Sequence, residues 1–233
     1  MLLVDASNAF NNLNRATALH NIKQICPPFF CFLNNCYKKP TQLIVNDPTN
    51  PTNHKVVFSE EGTTQGDPSA MAMYSLGTRP LIDKLSETLD ENTKQAWYAD
   101  DSDACGKLES LANWWNMLTN VGPQFGYFPN AKKTVLIVKG KENLLKARKL
   151  FGGSGVKITD KGERHLGAVI GDSDSKKKYV SRKVATWVED VERLAEISDD
   201  DPQLAYVAFT KGLCHRWKYV QRTINDIDLY SHR

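Results

Sequence analysis

The stretch that decides the fold is Gln95-Ala96-Trp97-Tyr98-Ala99-Asp100-Asp101-Ser102-Asp103-Ala104-Cys105-Gly106, in which two adjacent carboxylates follow a short aromatic run. Side chains alternate between the two faces of a strand, so Asp100 and Asp101 can serve one site only if a tight turn carries them. The stretch therefore predicts a β-hairpin with the acids at its tip. For an isolated Asp-Asp pair a solvated turn is the more common explanation, so the pair gains meaning only from other residues.

A third carboxylate belongs to the same prediction. The apolar run Met1-Leu2-Leu3-Val4 leads directly into Asp5, which places this acid at the end of a buried strand. Carboxylates close together repel each other unless a cation neutralises them, and hard oxygen ligands favour Mg²⁺ or Mn²⁺. We therefore expect Asp5, Asp100 and Asp101 to bind two ions, which lie about 3.5–4 Å apart in two-metal phosphoryl-transfer sites.

Five sequence blocks then occur in the order of the palm motifs of reverse transcriptases. They are Asp5-Ala6-Ser7-Asn8-Ala9-Phe10, Gln65-Gly66-Asp67-Pro68, Tyr98-Ala99-Asp100-Asp101, Asn130 with Lys133-Thr134, and His165-Leu166-Gly167. On these blocks, residues 1–171 resemble the reverse transcriptases of non-LTR-like retroelements. The resemblance implies an RNA-directed DNA polymerase that joins nucleotides to a primer 3′-OH, with an RNA template, a DNA or RNA primer and dNTP as partners.

The resemblance also implies a role for each site residue. Asp5 and Asp100 would ligate the metals with help from Asp101, and Phe10 would lie under the sugar and exclude a ribose 2′-OH. An RNA-dependent RNA polymerase is disfavoured for that reason. The other contacts would be made to template or incoming nucleotide by Gln65 and Gly66, to phosphates by Lys133, and to the primer end by His165, Leu166 and Gly167. Since the fingers of such enzymes precede the first catalytic Asp, we expect this chain to be truncated there and weakly active or inactive alone.

A second hypothesis is of another class, a catalytically dead remnant that still binds nucleic acid. From Pro129 to Lys183 the chain has 15 Lys or Arg residues and 5 Asp or Glu residues, whereas the net charge of the whole chain is +3. A basic segment of this kind suits a polyanion, although a solvated lysine-rich face explains the same composition. Dependence of an activity on Asp100 would separate the two hypotheses.

Strand and helix patterns alternate without a regular βα period, which predicts an α+β fold with an antiparallel sheet backed by helices. The resemblance identifies residues 1–171 as a polymerase palm followed by part of a thumb, and the composition predicts that the tail at 172–233 is helical. Within the palm, Phe29, Phe32, Leu33 and Cys36 recur at helical spacing and predict the core face of a helix. In the tail, apolar periodicity predicts a long helix that ends at Asp199-Asp200-Asp201-Pro202.

The cysteines and the apolar runs indicate the cellular compartment of the protein. The chain has 5 cysteines, an odd number, and no secretory signal precedes them, which predicts a reducing intracellular compartment, nuclear or cytoplasmic. The longest apolar runs, 29–33 and 135–138, are too short to cross a bilayer. The sequence leaves the oligomeric state open.

Overall fold

The computed structural model describes residues 1–64 and 66–224, with all of their side chains except those at 47, 51 and 52. Its strands are β1 Leu2–Val4, β2 Thr41–Asp47, β3 Asn50–Ser59, β4 Lys94–Tyr98, β5 Asp101–Cys105, β6 Val135–Ile137, β7 Lys157–Thr159, β8 Gly162–His165 and β9 Ala168–Gly171. Its helices are α1 Ala9–Asn12, α2 Arg15–Ile25, α3 Pro27–Tyr37, α4 Ala70–Ser86, α5 Leu108–Val121, α6 Lys141–Phe151, α7 Ser173–Asp200, α8 Pro202–Ala208 and α9 Cys214–Thr223. A 3-10 turn follows α5 at Gly122–Phe125, and a π-helical turn joins α8 to α9 at Phe209–Leu213.

A five-stranded sheet in the order β4-β5-β1-β6-β7 carries the predicted acids. The central strand β1 pairs antiparallel with β5 and β6, and β4 pairs antiparallel with β5. The sheet is therefore mixed rather than wholly antiparallel as predicted, because β6 and β7 run in the same direction. Along that pair the amide of Lys157 donates to Thr134, and further on the amide of Val138 donates to Thr159.

Helices back this sheet, as predicted for an α+β fold. The side chain of Gln95 on β4 donates to the Ile82 carbonyl of α4 at 2.9 Å and accepts from the indole of Trp114 on α5 at 2.8 Å. Trp114 is fully buried, and so are Leu111 and Leu118 one turn away on either side. The apolar stripe of α5 therefore packs as core, and the predicted fold class is confirmed.

Local sequence features mark the first residues of helices α2 and α3. The side chain of Asn14 accepts from the amide of Thr17 at 2.9 Å and so caps α2. Pro27 opens α3 at a position where its missing N–H has no partner to lose. The predicted core face of α3 is only partly right, because Leu33 is buried whereas Phe32 and Cys36 are exposed. Periodicity predicts that a helix has an apolar face, but not how much of that face another element covers.

The strands β2 and β3 form a separate two-stranded hairpin. Their apolar side chains lie on both faces, and all of them are exposed by between 42% and 65%; they are Leu43, Ile44, Val45, Val56, Val57 and Phe58. Among the described residues the two strands pair only with each other. The hairpin carries apolar surface that the described chain does not bury.

The chain divides into two compact units, residues 1–136 with 145–158, and residues 137–144 with the chain from 159 onward. The core of the second unit consists of Tyr179, Val180, Trp187, Leu213, Val220 and Ile224. Its long helix α7 ends at Asp200, where Asp201 accepts from the amide of Leu204 at 2.9 Å and caps α8, so the predicted break is confirmed. The predicted division into a palm at 1–171 and a tail at 172–233 stays a prediction, because it concerns function rather than contacts. No helix in the described ranges is both long and apolar enough to span a bilayer.

Candidate active site

The acids Asp100 and Asp101 lie at the tip of a tight hairpin. Ala99 and Asp100 connect β4 to β5, and Asp101 is the first residue of β5, so the predicted hairpin is confirmed. Ala99 has a φ of 56°, in the left-handed region that residues other than glycine seldom adopt. A turn of this kind persists only where neighbouring groups hold it.

The register of the sheet brings Asp5 to the same place. Val4 lies opposite Ser102 across the β1–β5 pair. The next residue along β1 is Asp5, and the preceding residue along β5 is Asp101, so the two acids are neighbours in an antiparallel pair. Asp5, Asp100 and Asp101 are all partly exposed.

The buried residue Tyr127 supports the hairpin tip. Only 1% of its surface is exposed. Its hydroxyl donates to the Asp100 carbonyl at 3.0 Å and shares a 2.8 Å hydrogen bond with the Ser102 hydroxyl, which must donate because Tyr127 has a single proton. Burial raises the pKa of Tyr127, the bond from Ser102 opposes this, and the charges of Asp100, Asp101 and Asp5 raise the pKa further. The Tyr127 hydroxyl is therefore close enough to all three carboxylates for their charges to raise its pKa.

One oxygen of Asp5 fits a cation ligand. Oδ1 of Asp5 is buried and has no hydrogen-bond partner, and the ammonium of Lys133 lies 3.4 Å from it. An unsatisfied buried oxygen is costly, and carboxylate oxygens are the donors that Mg²⁺ and Mn²⁺ prefer. Within the described residues, however, no three His, Cys, Asp or Glu side chains are grouped so that they could hold a metal ion. The three-carboxylate metal site therefore stays a prediction, and it requires these side chains to reorient.

Phe10, the predicted sugar contact, is fixed by an aromatic stack. Its ring lies on that of Tyr74 in α4, with 4.6 Å between centroids and 21° between planes. Tyr74 is buried, and its hydroxyl has no hydrogen-bond partner. Burial, followed by the charges of Tyr127 and Asp100, raises the pKa of Tyr74. The stack therefore links Phe10 to the surroundings of the acids.

A buried arginine holds the loop that leads to the predicted Gln65-Gly66 contact. Arg15 is 6% exposed, and its guanidinium donates to the carbonyls of Ser59, Glu61 and Gly62 at 3.0, 2.9 and 3.1 Å. It also lies 5.3 Å from the centroid of the Tyr37 ring. Burial lowers the pKa of Arg15, against which the charges of Glu61 and Tyr37 act. Three carbonyls bound by one rigid fork fix the path of this loop.

The loop ends at a helix whose start is well defined. Gln65 lies outside the described residues, and Gly66 is exposed with a φ of +92° and no atom near the place where a Cβ would be. Asp67 accepts from the amide of Ser69 at 2.7 Å and from the hydroxyl of Tyr37. Bonds from Ser69 and then Tyr37 lower the pKa of Asp67. The backbone at Gly66 is thus open to a ligand, while the residues after it are held.

The predicted primer contacts lie in the second unit. His165 is the last residue of β8, and Leu166 and Gly167 form the turn to β9 with φ values of 46° and 78°. The structure thus places these three residues together at one hairpin tip. Their role toward a primer stays a prediction.

Sequence reasoning missed Tyr127 and Arg15. Tyr127 bonds residues 25 and 27 positions away, and Arg15 bonds residues 44 to 47 positions away, so no local pattern reveals either contact. For Arg15 a signal exists, because a cation in the first turn opposes the helix dipole and therefore calls for another partner. Tyr127 carries no comparable signal.

Comparison with known proteins shows the class of fold and nothing finer. No known family model and no curated protein matches the chain. Among solved structures it is similar to apo telomerase from Candida tropicalis truncated from its C-terminal domain, at 13% identity with a TM-score of 0.50 over 73% of this chain and 33% of that one. It is also similar to telomerase from Candida albicans in complex with a TWJ fragment of telomeric RNA, at 11% identity with a TM-score of 0.47 over 74% of this chain and 29% of that one.

The first of these likenesses shows a reverse-transcriptase-like fold. The chain spans 33% of that telomerase chain, and sequence identity is 13%. At this identity and coverage the likeness concerns the palm-like fold alone.

Proposed function

We propose that this chain is the palm of an RNA-directed DNA polymerase, of the kind found in non-LTR-like retroelements. The observation that carries the proposal is Oδ1 of Asp5, a buried carboxylate oxygen that makes no hydrogen bond, has only the Lys133 ammonium as an ion-pair partner, and lies beside the Asp100-Asp101 tip. Asp5 and Asp100, with Asp101 assisting, would hold two Mg²⁺ or Mn²⁺ ions. Such ions activate the attacking 3′-oxygen of the primer and offset charge on the leaving phosphate.

The chain's own residues would bind and orient the other reactants. Lys133 is exposed and stands beside Asp5, so its ammonium can meet a triphosphate when the acid is otherwise neutralised. The stacked ring of Phe10 would exclude a ribose 2′-OH and so select dNTP. Gln65 and the open backbone of Gly66 would contact the template or the nucleotide. His165, Leu166 and Gly167 would hold the end of a DNA or RNA primer.

The catalytically dead remnant remains the second candidate, and one observation favours it. In the described structure the acids are not grouped for a metal, and a lysine stands 3.4 Å from Asp5. A lysine that neutralises Asp5 directly is compatible with a site that binds nucleic acid without catalysing a reaction.

Metal binding tests the first candidate without needing turnover. We expect Mn²⁺ binding, followed by electron paramagnetic resonance, to be lost in Asp100→Asn and Asp5→Asn and retained in Asp83→Asn, a matched change on the surface of α4. Primer extension on an RNA template should show weak activity at most, and the Asp100 change should abolish it. Intact Mn²⁺ binding in Asp5→Asn and Asp100→Asn would refute the metal site.

Salt dependence tests nucleic-acid binding, which both candidates share. Affinity for an RNA–DNA hybrid should fall by about 0.7–0.9 log units per log unit of salt for each phosphate neutralised. Replacing Lys132, Lys139 and Lys141 by Glu should weaken binding regardless of base sequence. Binding that is indifferent to salt would mean that the basic segment is a solvated face.

A further inference from the structure

The second unit contains a cavity of ≈ 370 Å³ to which the proposed function assigns no ligand. Three elements enclose it: β8 with its turn, α7 and α9. Its lining includes three cations and three aromatic rings, namely Arg164, Lys183, Arg216, Tyr179, Trp187 and Tyr219. A cavity of this size is in the range of small-molecule sites, and its lining combines apolar rings with a few charged groups.

Two tyrosines make the wall of the cavity rigid. The hydroxyl of Tyr179 donates to the Gly167 carbonyl at 2.7 Å, and the hydroxyl of Tyr219 donates to the Leu166 carbonyl. Because both hydroxyls are used within the protein, only ring surface remains for a ligand, and Tyr219, which is 45% exposed, offers more of it than the core residue Tyr179. A Cβ on Gly167 would stand 3.2 Å from the Tyr219 ring, so turn and ring are in close contact. The cavity is therefore formed before any ligand arrives.

The charge of the cavity selects an anion. In the part of the chain that the structure describes, no Asp or Glu lines it. The guanidinium of Arg216 is paired with Asp190 outside the cavity at 3.1 Å, which offsets its charge. Within the described residues, Arg164 and Lys183 have no ion pair, and the Lys183 ammonium lies 5.8 Å from the centroid of the Tyr179 ring. Two uncompensated positive charges complement a dianion better than a single negative charge.

A phosphate monoester carries up to two negative charges near neutral pH, whereas a phosphodiester inside a nucleic-acid strand carries one. The aromatic walls add surface on which a planar base can stack. A second cavity of ≈ 360 Å³ shares Arg164 and Tyr179 and adds Lys178 and Arg182, but Glu163 also lines it. The negative charge of Glu163 makes this second cavity less favourable for an anion.

We propose that the cavity around Tyr179 binds the phosphate monoester of a nucleotide. Arg164 and Lys183 contact the phosphate oxygens, and the exposed ring of Tyr219 contacts the sugar or base. The inference deepens the proposed function, because it rests on a nucleic-acid-handling role and adds a site separate from the acids. The same chemistry is offered by a free nucleoside monophosphate and by a 5′-phosphorylated strand end.

Calorimetric titration of the full chain tests the proposal with AMP, adenosine, inorganic phosphate, and an oligothymidylate with and without a 5′-phosphate. We expect AMP to bind more tightly than adenosine or inorganic phosphate. Arg164→Gln and Lys183→Gln should each weaken AMP binding about tenfold, the loss of one charge-assisted hydrogen bond. Lys177→Gln, an exposed cation on the same helix that lines neither cavity, should leave it unchanged.

Each outcome decides a separate question. Tighter binding of the 5′-phosphorylated oligonucleotide than of its unphosphorylated form would identify a strand end as the source, and AMP binding without such a preference would identify a free nucleotide. Equal binding of AMP and adenosine, or no effect of Arg164→Gln and Lys183→Gln in variants that melt like the parent chain, would overturn the proposal. Asp100→Asn should leave AMP binding intact, so failure of the palm proposal and failure of this one are distinguishable.

Discussion

Replacing Tyr127 by Phe tests the support of the hairpin tip with the smallest possible change. The variant keeps the buried ring and its contact with Trp97, whose centroid lies 5.3 Å away, and removes one hydroxyl. The Asp100 carbonyl and the Ser102 hydroxyl then lose their partner at once. Because Ala99 holds a left-handed backbone conformation, the tip loses the contact that opposes its relaxation.

The expected loss follows from the exposure of the two partners. Ser102 is 1% exposed and has no access to water, whereas Asp100 is partly exposed and can be hydrated. A buried group left without a partner costs about 1–3 kcal/mol, so we expect the free energy of unfolding to fall by about 2–3 kcal/mol. For a chain of this length that corresponds to a drop in Tm of roughly 5–10 °C.

Urea denaturation of Tyr127→Phe, Ser102→Ala and the double variant forms a double-mutant cycle. We expect a coupling energy of about 1 kcal/mol, because both single changes remove the same hydrogen bond. Mn²⁺ affinity should fall together with stability in Tyr127→Phe, and Asp83→Asn serves as the surface control. Additive effects of the two single changes, or a loss below about 0.5 kcal/mol, would refute the reasoning.

Three further changes have defined outcomes. Arg15→Met should lower the free energy of unfolding by about 3–5 kcal/mol in urea titrations, and Arg15→Lys should not restore it, since an ammonium cannot serve three carbonyls in the guanidinium's fork. Tyr74→Phe should raise stability at pH 7 by about 1 kcal/mol, because it removes an unpartnered buried hydroxyl. Because burial raises the pKa of Tyr74, its contribution to the free energy of unfolding is complete below about pH 10 and is lost as the pH rises above that value. The stability of Tyr74→Phe relative to the parent chain should therefore increase further in alkaline titrations. A Tyr74→Phe variant less stable than the parent would mean that the hydroxyl has a hydrogen-bond partner. Tyr219→Phe should speed hydrogen exchange of the turn amides next to Gly167, whereas unchanged exchange would mean that the turn holds itself.

The part of the site that lies on regular structure could be predicted from the sequence. A strand ending in Asp5 and a turn carrying Asp100 have local signatures, and strand pairing then brings them together without further information. The break before Pro202 was predictable for the same reason, because helix-breaking residues act on their immediate neighbours, whereas the sequence alone left the cap of α2 open between Asn12 and Asn14.

The supporting contacts could not be predicted, because they depend on packing between distant segments. Tyr127 could equally have been an ordinary core aromatic, and its role follows only from the position of the Asp100 carbonyl. Phe32 illustrates the opposite error, in which helical spacing predicted burial at a position that is 55% exposed. Neither secondary-structure propensity nor hydrophobic periodicity predicts which distant residue packs against a given side chain.

We expect the β2–β3 hairpin to promote self-association of the chain in solution. A two-stranded ribbon with apolar side chains on both faces, and with outer edges that no strand in the described ranges covers, is a template for pairing with another copy. Aggregates that display basic segments retain nucleic acid without any specific site, so light scattering should precede each titration. A charged gatekeeper on the ribbon, such as Ile44→Lys, extends the workable protein concentration while leaving the acids on β1 and β5 untouched.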